Sequence, residues 1–229
     1  MQNGEAGNAE DLTEVTDLEK ADVKLGQEMG QRRHHPAVKV ASKFGKLGDQ
    51  GPLYVLSAGL LVIGILTRNR RLTGSALSMG GAIALADRAK CGVKAIVHRT
   101  RPNVLMEKGR YRSGTGGSED KEEQSFPSGH TAGSVAVARA LSRHYPAAGA
   151  GAAVAALVVG LSRVAKGSHW PLDIVAGAII GFGSEAVATY MIEQGLKIAE
   201  MQTTFGYLPI MRPSEANWRR RAVDALRFR

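Results

Sequence analysis

Apolar residues are grouped in five runs along the chain, separated by polar connections. The runs cover residues 52–66, 72–86, 131–141, 147–161 and 174–192. None of them alternates with the period of two that marks a half-buried strand, and their lengths and small residues favour helices. The hydrophobic pattern therefore predicts an all-α fold, a bundle of about five apolar helices.

The same runs indicate membrane-spanning helices. Each is short against the roughly 20 residues that cross the hydrocarbon core, so the helices must tilt or extend into their flanking residues. Gly177 and Gly181 have the G-x-x-x-G spacing that lets helix backbones approach closely in lipid. A soluble Ala/Gly-rich bundle is the alternative, which the mean hydropathy of −0.13 leaves open.

The polar segments divide the chain further. Residues 1–34 form a charged leader that we expect to be flexible or a surface helix. Residues 35–51 mix Lys with Val, Ala and Phe, which predicts an amphipathic helix at the membrane interface. The bundle itself covers residues 52–192, with a long polar loop at 103–126, and a basic tail occupies 193–229. A loop of that length indicates function or mobility.

The charge distribution narrows the possible partners. The net charge is +9, but the basic residues stand in short clusters between apolar runs and at the C-terminus, and aromatic residues are only 5%. Nucleic-acid binders instead tend to carry one basic stripe. Basic clusters beside apolar runs are typical of helix ends near anionic headgroups, so we expect a membrane and no nucleic acid. The single cysteine, Cys91, excludes an internal disulfide and a cysteine-based zinc site.

Three clusters of chemically active residues interrupt the apolar pattern. In the first, "KAIVHRTRP", Lys94 and Arg101 are seven residues apart. Two helical turns separate them, so both side chains are expected on one helix face. Pro102 disfavours helical geometry at the residue before it and predicts the end of the helix.

The other two clusters coincide with predicted helix starts. The second is "PSGH", residues 127–130, whose proline suits a first helical position and whose next two residues leave backbone N–H groups open. The third is "SRVAKGSHWPLD", residues 162–173, in which a proline again suits a helix start.

In an up-and-down bundle these three clusters lie at the same end. The residues gathered there are Lys94, Arg101, Ser128, Gly129, His130, Arg163, His169 and Asp173. Cations and helix N-termini together form an anion site, and the planar fork of arginine suits phosphate. Two histidines supply acid–base or nucleophilic chemistry near neutral pH. The carboxylate can accept a hydrogen bond from one ring nitrogen of its neighbouring histidine and leave the other free to attack.

Taken singly, these residues have simpler explanations. The cations could be interfacial anchors, and His169 and Asp173 could be a structural i,i+4 pair. Jointly, those explanations require three coincidences of spacing. His98 and Arg99 fall between motif positions and are not assigned to the site. Glu185, an acid inside the last apolar run, is expected either to be paired within the bundle or to line a substrate groove.

The three motifs in this order resemble the type 2 phosphatidic acid phosphatase superfamily, which includes glucose-6-phosphatase and the vanadium-dependent haloperoxidases. The family pattern is K-x6-RP, then PSGH, then SR-x5-H-x3-D, and every spacing is intact between residues 94 and 173. The resemblance covers roughly residues 50–192.

The resemblance implies a role for each site residue. His169 would be the nucleophile that forms a phosphohistidine, Asp173 would orient it, and His130 would protonate the leaving oxygen and then activate water. The phosphoryl oxygens would be held by Lys94, Arg101, Arg163 and the Ser128–Gly129 segment. This apparatus needs no metal, so no cofactor is expected.

We therefore expect a membrane phosphatase that acts on a lipid phosphomonoester or pyrophosphate. The family implies phosphatidic acid, phosphatidylglycerophosphate, undecaprenyl pyrophosphate or lipid A phosphate. One alternative is a vanadate-dependent haloperoxidase, which a bromination assay would reveal, or a soluble acid phosphatase, which fractionation would reveal. Another is a non-catalytic membrane protein that binds anionic lipid.

The basic connections predict a topology. The segments 68–71 and 142–146 and the basic C-terminus would share one side, opposite the catalytic pocket. The positive-inside rule assigns that side to the cytoplasm. The active site would then lie on the periplasmic or outer side of an inner membrane.

Overall fold

A computed structural model of the protein describes residues 15–206. The helices are α1 (Asp17–Gly30), α2 (Pro36–Phe44), α3 (Gln50–Leu66), α4 (Arg70–Ile96), α5 (Pro102–Lys108), α6 (Gly129–Ser142), α7 (Pro146–Ala165) and α8 (Pro171–Gly206). Two 3₁₀ turns cover Gly45–Gly48 and Lys121–Glu123, and two short strands are β1 (Val97–Arg99) and β2 (Ser113–Thr115).

The chain is mostly helical, as the hydrophobic pattern predicted, but it is not all-α. Strands β1 and β2 pair antiparallel, with Val97 opposite Thr115 and Arg99 opposite Ser113. The predicted loop 103–126 accordingly contains α5, β2 and a 3₁₀ turn. Three-residue strands are too short to give an alternation signal, which is why the sequence pattern missed them.

Helix α6 forms the centre of the bundle. It packs against α4 and α7, while α3 packs against α4. Helix α8 also lies close to α6, because side-chain carbons added at Gly177 and Gly181 would collide with the carbonyl oxygens of Ser128 and Ala132. The G-x-x-x-G spacing therefore marks a close helix contact, as predicted.

Between residues 15 and 206, two helical segments are long and apolar enough to cross a membrane. They are α7 and the part of α8 from Pro171 to Gly195. Helix α3 and the preceding Pro36–Gly48 segment, bent by 53°, would make a third if they count as one span. Large apolar side chains on these helices, such as Leu157 and Ile179, are exposed. These features indicate an integral membrane protein.

Five spans stay a prediction. Helix α6 has 14 residues, about 21 Å at the usual helical rise, which is shorter than the roughly 30 Å hydrocarbon core. Helix α4 is long enough, but it carries Asp87, Arg88 and Lys90 in its second half. Helix α6 is therefore short for a membrane span, and charged residues interrupt the apolar character of α4.

The leader contributes a helix that packs against the bundle. Asp22 and Val23 of α1 are buried, and Gly26 faces the indole of Trp170. The chain divides into two compact units, residues 1–192 and 193–229. Residues 1–14 of the predicted leader and 207–229 of the predicted tail lie outside the described residues.

Two of the basic connections lie at one end of the bundle. His144, between α6 and α7, has its Nδ1 atom 3.1 Å from Ser75 Oγ near the start of α4. The segments 68–71 and 142–146 are therefore neighbours. The C-terminal end of α4 and the N-terminal end of α6 are at the opposite end.

Glu185 is paired within the bundle. Its side chain is fully buried and forms ion pairs with Arg143 and, at 3.5 Å, with Arg139. Thr189 donates a hydrogen bond to it at 2.9 Å. Of the two expectations for this acid, pairing inside the bundle is the one that the structure supports.

The close contact between α6 and α8 predicts a difference between two alanine substitutions. In Gly181→Ala, the new Cβ would collide with the Ala132 carbonyl oxygen of α6 and lie 3.1 Å from the Ala136 nitrogen, so the helices must separate. We expect a loss of about 1–3 kcal/mol of stability, seen as a lower unfolding temperature in detergent. The control is Gly183→Ala on the same helix, where nothing lies within 4 Å. It should be neutral or stabilising; an equal loss in both variants would contradict the contact.

Candidate active site

The three motif clusters meet at one cavity of about 420 Å³. Its lining residues are Gly48, Asp49, Gln50, Gly51, Lys90, Lys94, Arg101, Gly129, His130 and His169. Five of the eight predicted site residues therefore face the same space. The two imidazoles, which come from sequence positions far apart, are among them.

Lys94 and Arg101 converge, but not on one helix face as predicted. Helix α4 ends at Ile96 and the chain continues as β1. Arg101 has extended backbone angles, φ −73° and ψ 150°, and Pro102 begins α5. The proline restricts the residue before it to extended geometry, and the strand pairing of 97–99 ends the helix earlier than the spacing suggested.

A single carbonyl holds both cations. Lys94 Nζ and Arg101 Nη2 each donate to the Gln124 carbonyl oxygen. Arg101 also donates from Nε to Lys121 O at 2.8 Å and from Nη1 to Ser168 O at 3.0 Å. Backbone acceptors thus fix the guanidinium in place.

The surroundings of these two cations disfavour their charged forms. Burial, reinforced by the charge of Arg101, lowers the pKa of Lys94 to about 8. Burial also lowers the pKa of Arg101, and nearby Arg163 contributes in the same direction. An anion in the cavity would relieve both effects, so the lining favours a negatively charged group.

The protonation state of His169 follows from its hydrogen bonds. The Nδ1 atom lies 2.8 Å from the Ser125 carbonyl oxygen and 3.5 Å from Asp173 Oδ2. A carbonyl can only accept, so Nδ1 carries the proton and Nε2 keeps its lone pair. Burial lowers the pKa of the ring below its usual value. The imidazole is therefore neutral at pH 7, with a nitrogen available as a nucleophile.

His130 has a partner that sequence reasoning missed. Its Nε2 atom contacts the carboxylate of Asp49. Asp49 is the N-cap residue of α3, yet its side chain makes no capping hydrogen bond. Burial, followed by the charge of Arg163, lowers the pKa of His130 to about 4, and Asp49 opposes that shift. Asp49 precedes the apolar run by only a few residues and belongs to no motif, so nothing in the sequence marked it.

The start of α6 differs from the prediction. Pro127 is not the first helical residue, because Ser128 is the N-cap and α6 begins at Gly129. Serine is a preferred N-cap, and Ser128 Oγ lies 3.1 Å from Thr131 Oγ1. The Ser128 amide donates to the Asp173 carbonyl at 3.0 Å, so it is not open to a ligand as predicted. Gly129, in contrast, lines the cavity.

Arg163 is not among the residues that line the cavity. It is buried and donates from Nη2 to the Gly45 carbonyl at 2.7 Å. Its Nε atom has no hydrogen-bond partner among residues 15–206. Its charge nevertheless reaches His130, whose pKa it lowers.

Behind His169, a buried ion-pair network is centred on Arg99, which sequence analysis left outside the site. Arg99 Nη1 donates to Asp173 Oδ1 at 3.0 Å, and Nη2 lies 2.7 Å from Asp22 Oδ2. The Nε atom donates to the Tyr111 hydroxyl at 3.1 Å. The guanidinium also lies 5.4 Å from the centre of the Trp170 ring. Arg99 thereby joins α1, β1 and α8.

Asp173 is held on both oxygens. Besides Arg99 on Oδ1, the Oδ2 atom accepts hydrogen bonds from the Trp170 amide at 2.8 Å and from the Ser125 hydroxyl. Asp173 is fully buried, so these donors compensate for its lost hydration. The carboxylate is thus fixed beside His169.

Lys90 adds a cation that no motif contains. It precedes Lys94 by one helical turn, lines the cavity and lies 2.7 Å from Asp87 Oδ1. A side-chain carbon at Gly129 would come within 3.1 Å of its Nζ atom. Lys90 therefore lies against the N-terminus of α6. Its helical spacing from Lys94 was the signal that could have identified it.

Metal ligation has no candidate in the described part of the chain. No three His, Cys, Asp or Glu side chains there lie close enough to share an ion. Independence from metal stays a prediction.

Comparison of the sequence with known protein families identifies the family to which the three motifs belong. The model of the PAP2 superfamily matches residues 75–196, which is more than half of the chain and contains all eight predicted site residues. The chain belongs to the PAP2 superfamily.

Two related sequences are named as phosphatases. The chain is 37% identical over 109 residues to a non-specific acid phosphatase of Salmonella typhi, a match that covers 46% of this chain and 40% of that protein. It is 36% identical over 109 residues to the enzyme of the same name in Salmonella typhimurium (strain LT2), with the same coverage. The chain thus spans about two fifths of the length of these relatives.

Two solved structures share the fold. LpxE of Aquifex aeolicus aligns with a TM-score of 0.51 and 24% identity, covering 72% of this chain and 92% of that one. A transmembrane PAP2-type phosphatidylglycerolphosphate phosphatase of Bacillus subtilis aligns with a TM-score of 0.53 and 21% identity, covering 80% and 90%. The helical arrangement is therefore shared with LpxE and with a transmembrane PAP2-type protein.

The network behind the PAP2 site predicts a large effect of Arg99→Ala. The change leaves Asp173 and Asp22 buried without their cation, which should cost about 3–5 kcal/mol of stability. Thermal unfolding in detergent measures it. Arg112→Ala is the matched control, because Arg112 is exposed and its ion pair with Glu123 is long, at 3.6 Å; it should cost less than about 1 kcal/mol. Similar losses in both variants would contradict the central role of Arg99.

Proposed function

We propose that this PAP2 superfamily member is a membrane phosphatase that hydrolyses a lipid phosphomonoester or pyrophosphate through a phosphohistidine. One observation carries the proposal: His130 and His169 line a single cavity together with Lys94 and Arg101. Two imidazoles beside buried cations suit transfer of a phosphoryl group, because one can attack while the other handles a proton.

In the first half-reaction, His169 Nε2 attacks phosphorus. A bound phosphate anion raises the pKa of His130 from its value in the empty site, so that the ring can carry a proton. The N–P bond forms as the bond from phosphorus to the leaving oxygen breaks, and His130 donates that proton to the oxygen. Lys94, Arg101 and the amide end of α6 stabilise the charge on the phosphoryl oxygens. Asp173 and the Ser125 carbonyl hold the ring of His169 so that its lone pair stays available.

In the second half-reaction, water replaces the leaving group. His130 accepts a proton from the water as its oxygen bonds to phosphorus, and the N–P bond breaks. Inorganic phosphate leaves, His169 regains its lone pair, and His130 is again protonated. The two histidines end the cycle in their starting states.

The membrane setting supports a lipid substrate. The cavity lies where α7 ends and α8 begins, and both contain segments apolar enough to span a bilayer. A headgroup at the surface could reach it while the tails stay in the hydrocarbon. The similarity to a phosphatidylglycerolphosphate phosphatase supports the same class; phosphatidic acid, undecaprenyl pyrophosphate and lipid A phosphate are further candidates. By the positive-inside rule, we place the cavity on the periplasmic or outer side of an inner membrane.

A second candidate is a phosphatase of broad specificity for small phosphomonoesters. The similarity to two non-specific acid phosphatases favours it. A phosphate-release panel of lipid and water-soluble phosphomonoesters, assayed without added metal, distinguishes the two. Preference for lipids supports the first candidate.

The mechanism predicts unequal losses for three histidine variants. His169→Ala removes the nucleophile and should lower phosphate release at least about a thousandfold, and His130→Ala should lower it at least about a hundredfold. His98→Ala, outside the cavity, is the control and should remain active. Vanadate should inhibit the parent. Unchanged turnover in His169→Ala would refute the mechanism.

Asp49 predicts a shift in the pH profile. Its charge raises the pKa of His130 against the effect of burial. Asp49→Asn should therefore lower that pKa further, so the protonated acid is lost at a lower pH. The alkaline limb of kcat against pH should move to lower pH, with a larger loss of rate at pH 7 than in acid. Asp17→Asn, a change at an exposed acid of α1, should leave the limb in place; an unshifted limb in Asp49→Asn would contradict the role of Asp49.

A further inference from the structure

Beside the catalytic cavity lies a larger basic cleft, of about 710 Å³. The cations that line it are Arg33, Lys39, Lys43, Lys46, Arg101 and Lys166. Among its lining residues the one carboxylate is Glu107, which lies 3.6 Å from Arg33. The cleft therefore carries a strong excess of positive charge, and a cleft lined by charges of one sign concentrates anions of the opposite sign.

Four of the six cations that line the cleft lack partners in the described part of the chain. Within residues 15–206, no ion pair or side-chain hydrogen bond engages Lys39, Lys43, Lys46 or Lys166. Two further atoms, Arg33 Nε and Ser42 Oγ, are buried there without a hydrogen-bond partner. Leaving buried donors unsatisfied costs free energy, which a bound acceptor would recover. The cleft is thus suited to a ligand rich in acceptor oxygens.

A phosphate group fits this lining. The arginine fork binds phosphate oxygens in pairs, and lysine ammonium groups add point charges around it. Lys39 and Lys43 are four residues apart on α2, so they lie on the same helix face. Several cations around one space match a group with more than one negative charge.

Arg101 connects the cleft to the catalytic cavity, because it lines both. Its guanidinium donates to Ser168 O, which belongs to the lining of the cleft, and to Gln124 O, which also accepts from Lys94 of the cavity. A molecule with phosphate groups at two places could therefore occupy both sites at once.

We propose that the cleft binds a second phosphate group of the same substrate, so that the preferred substrates carry two phosphates in the headgroup. This inference rests on the proposed phosphatase function.

The test compares substrates that differ in one phosphate. Ethanediol, butanediol and hexanediol bisphosphates are assayed in neutral detergent against the alkyl monophosphates of equal length. In Lys39→Gln/Lys43→Gln, the ratio of KM for bisphosphate to KM for monophosphate should rise at least about fivefold for the diol that fits best. Lys20→Gln/Lys24→Gln removes the same charge from α1, outside both cavities, and should leave the ratio unchanged. An unchanged ratio in the α2 variant overturns the proposal.

A binding measurement separates this inference from the function on which it rests. Titration calorimetry of His169→Ala with the same compounds needs no turnover. Tighter binding of a bisphosphate than of its monophosphate, weakened by the α2 substitutions, supports the cleft even if no compound is hydrolysed. Hydrolysis by the parent, with equal binding of both compounds to His169→Ala, would refute the cleft and leave the phosphatase standing.

A neighbouring anionic lipid could supply the same phosphate chemistry. The assay is therefore repeated with dodecyl phosphate in vesicles of phosphatidylcholine alone and in vesicles that also contain phosphatidylglycerol. If the α2 variant lost rate only in the anionic vesicles and showed no change of ratio in neutral detergent, the cleft would serve the bilayer and not the substrate. That outcome overturns the proposal.

Discussion

The buried ion pair between Arg99 and Asp173 is the interaction on which the site depends most. A carboxylate without access to water needs charge and hydrogen bonds from the protein, and Arg99, Ser125 and the Trp170 amide supply them. The same arginine binds Asp22 of α1. The leader helix, the small sheet and the start of α8 are therefore joined behind His169 at the candidate active site, so the position of His169 depends on all three.

Backbone oxygens, rather than carboxylates, hold the three motif cations at the site. Arg101 and Lys94 are held by carbonyl groups, which position a cation without neutralising it. Arg163 is held in the same way by Gly45. The site therefore keeps a positive field while its side chains stay ordered. Such preorganisation suits a reaction whose charge is spread over phosphoryl oxygens.

Motif spacing predicted much of the site, and it failed where long-range pairing decided the structure. The order of helices brought His130 and His169 to one cavity as expected. The end of α4 was wrong, because pairing of β1 with a strand some 16 residues on replaces the last helical turn. Arg99 and Asp49 were missed for a related reason: each acts on a residue distant in sequence, so no local period or motif marks it. The span count depends on helix lengths that apolar runs alone do not define.

The bond from His169 to the Ser125 carbonyl bears on how the site can vary in evolution. An acceptor that belongs to the peptide chain is present whichever amino acid stands at that position, so replacement of residue 125 changes the support of Asp173 but leaves the acceptor in place. The tautomer of the imidazole is consequently inherited with the backbone path. Exchange of the side chain at position 125 does not by itself remove it.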